Sequence, residues 1–199
     1  MKKAIQTAFK DATENDISLF YYSGHGSADG ALCSFEDNGN MGFVSPKRLA
    51  KWLSNVPSKV VVILDSCYSG KAIEKSKGLN DTKRMEDAQK SVIEAFQMQD
   101  KMLSQKSGEL KEKGKFFVLT SCSTSEVCAD DGENGLFTGA LIEGAGYRCD
   151  TNQRMSKAPA DIAKDNKLTM EELWRYSLPR ALGNAKCYPT NCGMKIFQR

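Results

Sequence analysis

The feature that most constrains the fold is an unbroken apolar run that ends abruptly in polar and reactive residues. Residues 60–64 read VVVIL, and residues 65–70 follow as DSCYSG. A continuous run of β-branched and aliphatic residues is typical of a strand buried on both faces of a parallel sheet. Open α/β sheets place their ligands at the carboxyl ends of such strands. The run therefore predicts an α/β fold with candidate functional residues at Asp65 and Cys67.

A second apolar segment with a polar end lies upstream, where residues 17–26 read ISLFYYSGHG. It ends in a glycine-flanked histidine, His25, which is the only histidine of the chain. Between the two strands, Ser45 and Pro46 are typical of an N-cap and a first helical position. A strand, helix, strand unit leaves its two strands parallel. We therefore expect His25 and Cys67 to lie at the same edge of the sheet.

The rest of the chain continues the alternation of helices and strands within one predicted domain, residues 1–199. Apolar spacing predicts helices over 2–13 and 136–146 and, behind a Thr169–Glu172 capping box, over the residues that follow 169. The sequence also predicts strands over residues 116–119 and near residues 194–197. Residues 27–40 are predicted to form a loop. The charged stretch 71–114 keeps a helical rhythm in part, and we interpret it as an insertion.

Composition excludes several classes of function. The 28 basic and 25 acidic residues are interspersed and leave a net charge of +3, which argues against a nucleic-acid surface. No apolar run approaches the roughly 20 residues that cross a bilayer. The N-terminus lacks the apolar core of a signal peptide, so the default expectation is a cytoplasmic protein. The seven cysteines are an odd number, and their spacing does not favour a zinc site.

The reactive residues at the two strand ends suit nucleophilic catalysis. A thiol has an ordinary pKa of about 8.5 and needs an imidazole or a positive field to become an effective nucleophile. His25 is the available imidazole for Cys67, and the backbone N–H groups of Gly26 and Cys67 are candidate oxyanion donors. Either residue alone has a structural interpretation, as a small buried cysteine or a loop histidine. Their placement together favours catalysis.

Two short motifs resemble those of a known family. Residues 22–26, YSGHG, and residues 64–70, LDSCYSG, resemble the catalytic motifs of caspase-like cysteine peptidases, especially the bacterial and metacaspase types, in the same clan as clostripain and legumain. The resemblance implies a three-layer fold with a mostly parallel sheet and helices on both faces. It implies that His25 is the general acid and base, and that Cys67 is the nucleophile of a thioester intermediate. That family's sheet begins with two further strands, absent here, so we expect an N-terminally truncated or processed chain.

The resemblance also implies a substrate preference. Asp65 matches an acid that lines the S1 pocket of metacaspase-like enzymes, Asp130 matches a second such acid, and Ser23 matches a position that touches the pocket. Two carboxylates would favour a substrate with arginine or lysine at P1 and repel an acidic one. Other interpretations stay open, namely a turn or helix-capping carboxylate for Asp65 and a solvated loop charge for Asp130.

The resemblance gives stretch 71–114 a second interpretation, as a processing linker cut by the enzyme itself. The basic candidates for that cut are Lys71, Lys75, Lys77, Lys83, Arg84 and Lys106. The reaction requires no cofactor and no metal ligand. Calcium activation stays open but is not predicted, because the oxygen ligands available after the histidine motif match the calcium-dependent members poorly. Those residues are Glu36, Asp37, Asn38 and Asn40.

Two alternative functions remain after these observations. One is a catalytically silent caspase-like module that regulates or scaffolds a partner. The other is a legumain-like peptidase that cleaves after asparagine. A lipase-type serine hydrolase is excluded, because no Gly-x-Ser-x-Gly elbow surrounds the nucleophile. The expected partners are peptides or proteins with a basic P1 residue, and the oligomeric state is left open.

Overall fold

A computed structural model describes residues 1–35, 39–67, 80–107, 114–121, 135–181, 185–190 and 193–198. The helices are α1 (Lys2–Ala8), α2 (Pro46–Leu53), α3 (Asn80–Ser107), α4 (Leu136–Gly144) and α5 (Met170–Arg180). The strands are β1 (Ile17–His25), β2 (Leu32–Phe35), β3 (Met41–Val44), β4 (Lys59–Cys67), β5 (Phe116–Ser121), β6 (Lys167–Thr169), β7 (Ala185–Tyr188) and β8 (Lys195–Gln198).

The central sheet has the strand order β1-β4-β5-β7. Strands β1, β4 and β5 run parallel, and β7 is antiparallel to β5. Two small antiparallel pairs, β2–β3 and β6–β8, lie outside it. The mostly parallel sheet confirms the predicted α/β class.

Alternate residues of β4 enter two different hydrophobic cores. Val60, Val62 and Leu64 pack with α1, α2 and α3 on one face of the sheet. Val61 is buried, with Ile63 packed beside it, against α4 and α5 on the other face. Because both faces are covered by helices, neither set of alternating positions can be polar. This double burial is the reason that residues 60–64 form a continuous apolar run.

The predicted helix starts are present with their capping bonds. The Ser45 side chain accepts a hydrogen bond from the Arg48 backbone N–H at the start of α2, where Pro46 is the first residue. At α5, Thr169 and Glu172 cap each other's backbone N–H groups. These caps satisfy N–H groups that a helix leaves without partners.

Three sequence expectations were incomplete or wrong. Helix α1 ends at Ala8, not at residue 13, and the Asp16 carboxylate accepts a hydrogen bond from the Thr13 N–H at 2.7 Å in the turn into β1. Residues 32–35 of the segment predicted as a loop form β2, the first strand of the β2–β3 hairpin. Strand β7 was not predicted, and its pairing with β5 adds an antiparallel strand to the sheet.

Helix α3 occupies most of the charged stretch 71–114. One of its faces carries Met85, Ala88, Val92 and Phe96 into the first core, and the ring of Phe96 meets that of Phe116 edge-on at 5.0 Å. Residues 80–107 of the predicted insertion are therefore a helix that is integrated into the fold. Among the described helices, none is both long and apolar enough to cross a membrane.

A buried carboxylate fastens the end of α3 to the sheet. Asp100 is only 6% exposed, accepts a hydrogen bond from the Lys115 backbone N–H at 2.8 Å, and accepts another from the Tyr188 hydroxyl at 3.1 Å. A Cβ added at Gly114 would collide with this carboxylate. Burial raises the pKa of Asp100, although the hydrogen bonds from Lys115 and Tyr188 oppose that rise. The same site raises the pKa of Tyr188, through burial and the nearby Asp100 charge.

We predict that Asp100→Asn reduces the pH dependence of stability. Because the folded-state pKa of Asp100 lies above its unfolded value, this group stabilises the fold fully at acidic pH, and the contribution is lost as pH rises through the folded pKa. The slope from one such group is at most about 1.4 kcal/mol per pH unit. Urea unfolding from pH 4 upward should show a shallower decline in the unfolding free energy for the variant. The exposed Glu86→Gln on the same helix is the control, and identical slopes for Asp100→Asn and the wild type would contradict the prediction.

Candidate active site

The register of β1 and β4 pairs the two candidate catalytic positions. His25 is the register partner of Cys67, and each is the last residue of its strand. The pairing runs without a break from Ile17 opposite Lys59 to this final rung. For Cys67, the structure describes only its position at the end of β4. The expectation that the two residues lie at the same edge of a parallel sheet is thereby confirmed, while their catalytic roles stay predictions.

The backbone around His25 is held by the side chain of Tyr22. The Tyr22 hydroxyl lies 2.6 Å from the His25 carbonyl oxygen and 2.7 Å from the Cys33 carbonyl oxygen. A single hydroxyl proton can be donated to only one of these at a time. The contact ties the histidine strand to the β2–β3 hairpin, while the His25 side chain is exposed to solvent.

The turn that follows His25 is built from small residues. Gly26 is buried and forms an isolated antiparallel bridge with Leu32. The Ser27 hydroxyl donates a hydrogen bond to the Asp29 carboxylate, and this bond is the main reason that the pKa of Asp29 is lowered. Gly30 has a φ of +83°, and a Cβ there would lie 2.8 Å from the Ala88 carbonyl oxygen of α3. Helix α3 therefore supports the loop that leaves the histidine.

Asp65 connects the carboxyl end of β4 to the start of α4. Its Oδ2 accepts a hydrogen bond from the Thr138 backbone N–H at 3.2 Å and a second, short one from the Thr138 hydroxyl. The N-cap residue of α4 is Gly135, which has no side chain to cap the helix. Asp65 therefore caps α4 from a neighbouring strand. The helix-capping interpretation from the sequence is correct in this respect, and it leaves the pocket role untested.

The structure describes one of the two remaining predicted pocket residues, Ser23. Ser23 is exposed and is the register partner of Asp65, so these two lie on adjacent strands, two residues before the final pair His25 and Cys67. Asp130 lies outside the described residues. Of the residues considered for calcium, Glu36, Asp37 and Asn38 also lie outside them, and Asn40 is exposed.

No metal site is evident in the part of the chain that the structure covers. Within those ranges, no group of three or more His, Cys, Asp or Glu side chains could hold a metal ion.

The sequence analysis missed three residues that organise this edge. Tyr22 was noted only as part of a motif, and Thr138 only as part of a helix. Tyr21 contributes a hydroxyl that lies 2.9 Å from Oγ1 of Thr138. The glycine at the start of α4 was a usable signal, because the free backbone N–H groups of a helix without a capping side chain require an acceptor from elsewhere.

Comparison with known proteins gives one family match. A family model described as "Caspase domain" matches residues 1–182 of the chain. A search of curated proteins found no match.

We predict that Gly24→Ala destabilises the fold by about 1–3 kcal/mol, the usual cost of a strained backbone conformation. Gly24 has a φ of +153°, and an added Cβ would lie 3.0 Å from the Tyr22 hydroxyl, which is already engaged with the backbone. The measurement is the urea midpoint of unfolding. Gly193→Ala is the matched control, because no atom lies within 4 Å of its added Cβ. Equal midpoints for Gly24→Ala and the wild type would refute the prediction.

Proposed function

We propose that this chain, which belongs to the caspase-domain family of cysteine peptidases, is an endopeptidase that uses a His25–Cys67 dyad and cleaves after arginine or lysine. The observation that carries the proposal is the register of the last rung between β1 and β4. That rung brings the only histidine of the chain beside a cysteine at the edge where parallel sheets place their ligands.

In the proposed reaction, the Cys67 sulfur attacks the substrate carbonyl carbon while His25 takes the thiol proton. The resulting oxyanion accepts hydrogen bonds from the backbone N–H groups of Gly26 and Cys67. As the C–N bond breaks, His25 returns the proton to the leaving amine and a thioester remains. Water, deprotonated by His25, then attacks the thioester and releases the carboxylic acid, and the sulfur regains its proton.

The proposed preference for a basic P1 residue depends on Asp65, with Ser23 beside it and Asp130 as a second acid. Asp65 is partly exposed at the strand end, two residues before the proposed nucleophile. A partly exposed carboxylate in a binding pocket attracts a cationic side chain and repels an acidic one.

Cleavage of matched fluorogenic peptides tests this function. We expect hydrolysis after arginine and lysine at rates well above those after asparagine or aspartate, and loss of all hydrolysis in Cys67→Ala and in His25→Ala. We expect Asp65→Ala to lower kcat/KM for basic substrates by at least about tenfold, since one interaction with a charged partner corresponds to roughly 1.5–3 kcal/mol.

The same assay separates the alternatives. Preferred cleavage after asparagine would favour a legumain-like specificity. A folded protein that cleaves none of the peptides, with calcium or with chelator, would overturn the peptidase proposal in favour of a silent module.

We further propose that self-processing, a part of the same activity, occurs before α3. A protease binds its substrate in an extended form, whereas Lys83, Arg84 and Lys106 lie within the helical α3 and would require it to unwind. Lys71, Lys75 and Lys77 precede the helix. We expect mass spectrometry of the incubated protein to find new termini after one of these three lysines and none in Cys67→Ala. Cleavage first at Lys83 or Arg84 would contradict this prediction.

A further inference from the structure

We infer that Thr138 is a positioning residue for substrate recognition, because it fixes the carboxylate of Asp65, and that Tyr21 supports Thr138 in this role. The inference rests on the proposed function, in which Asp65 contacts the basic P1 side chain. It assigns a specificity role to two hydroxyl groups that lie on other elements, one in α4 and one in β1.

The hydrogen bonds have a direction that the chemistry of the groups determines. An ionised carboxylate can only accept, so the Thr138 hydroxyl must donate its single proton to Oδ2 of Asp65. That hydroxyl can then only accept from Tyr21, whose oxygen lies 2.9 Å away. The Tyr21 proton therefore points to Thr138, and the Thr138 proton points to Asp65. In such a chain each bond polarises the next, so the bond from Tyr21 strengthens the bond to the carboxylate.

The backbone at the start of α4 lies close to the Asp65 carboxylate. Thr138 also donates its backbone N–H to the same Oδ2 atom, at 3.2 Å. A Cβ added at Gly135 would lie 3.0 Å from Oδ2, so the helix start approaches the carboxylate as closely as a glycine allows. Oδ2 thus faces two donors from one residue and the positive end of a helix dipole. These contacts restrict the rotation of the Asp65 side chain.

The anchored oxygen leaves the other one for the substrate. No described residue donates a hydrogen bond to Oδ1 of Asp65, whose side chain is partly exposed. A substrate cation that binds Oδ1 meets an oriented acceptor and does not have to order the side chain on binding. With Oδ2 already engaged, Asp65 can bind the substrate through one oxygen only. This carboxylate by itself should therefore distinguish arginine from lysine weakly, because the bidentate geometry that favours arginine requires two free oxygens.

A purely structural role for Thr138 makes a different prediction. If the hydroxyl only stabilises the start of α4, its removal lowers stability and affects all substrates alike. If it positions Asp65, its removal lowers the efficiency for cationic P1 side chains and spares neutral ones. The two roles are separated by comparing an arginine substrate with its citrulline counterpart, which has nearly the same shape and no charge.

The test uses Thr138→Val, which removes the hydroxyl and keeps the backbone N–H, together with Thr138→Ser and Tyr21→Phe. We expect Thr138→Val to lower kcat/KM about tenfold for arginine and lysine peptides, mainly through KM, and to leave citrulline peptides within about twofold, as expected for loss of one charge-assisted hydrogen bond. Thr138→Ser should restore most of the activity, and Tyr21→Phe should cost about two- to threefold. The control is Thr151→Val, because the Thr151 hydroxyl also contacts an aspartate, Asp150, at 3.4 Å in an exposed loop.

Binding of agmatine to the Cys67→Ala protein, measured by calorimetry, tests the inference apart from catalysis. Agmatine carries the guanidinium of arginine, and we expect Thr138→Val to weaken its binding about tenfold in that background. If the wild type cleaves no peptide but agmatine binding depends on Thr138, the peptidase proposal fails and the positioning role stands. Equal losses for arginine and citrulline peptides, unchanged kinetics in Thr138→Val, or agmatine binding that is absent or independent of Thr138 would overturn the inference.

Discussion

The parallel pairing of β1 with β4 is the interaction on which the rest of the structure depends. Its hydrogen bonds keep one register over both nine-residue strands, from Lys59 opposite Ile17 to Cys67 opposite His25. Every second residue of β4 then faces one of the two cores, so a shift by one position would exchange the residues between those cores. The same register that buries the valines of β4 also determines which residues share the last rung. Packing in the middle of the sheet and the composition of its carboxyl edge are therefore set together.

The parts of the fold that could be predicted are those in which local sequence and tertiary burial agree. The run at residues 60–64 is apolar because both faces of β4 are covered, and Ser45 and Thr169 are found where helices require caps. The strand ends follow from the same logic, so His25 and Cys67 could be placed at one edge without a structure. For α3 the periodicity was visible, but its charged face concealed how completely the opposite face is buried.

The elements that escaped prediction depend on contacts between distant parts of the chain. Phe35 of the β2–β3 hairpin is 73% exposed, so the segment lacks the alternation that identifies a half-buried strand. Strand β7 is only four residues long and is defined by its pairing with β5. The bond between Asp65 and Thr138 joins residues 73 positions apart. No local pattern specifies such a bond, although the uncapped glycine at the start of α4 indicates that a partner is required.

The polar groups at the carboxyl edge of the sheet differ in whether they have hydrogen-bond partners. Asp65 obtains its donors from α4, and the backbone of His25 obtains one from Tyr22. Just beneath them, the buried hydroxyls of Ser66 and Thr120 have no hydrogen-bond partner among the described residues. A buried polar group without a partner costs about 1–3 kcal/mol, so within the described residues this edge is less well optimised for stability than the centre of the sheet. Departures from local optimisation concentrate at functional sites in proteins. The imbalance in hydrogen bonding thus points to the same edge as the register of His25 and Cys67, by an argument that uses neither residue.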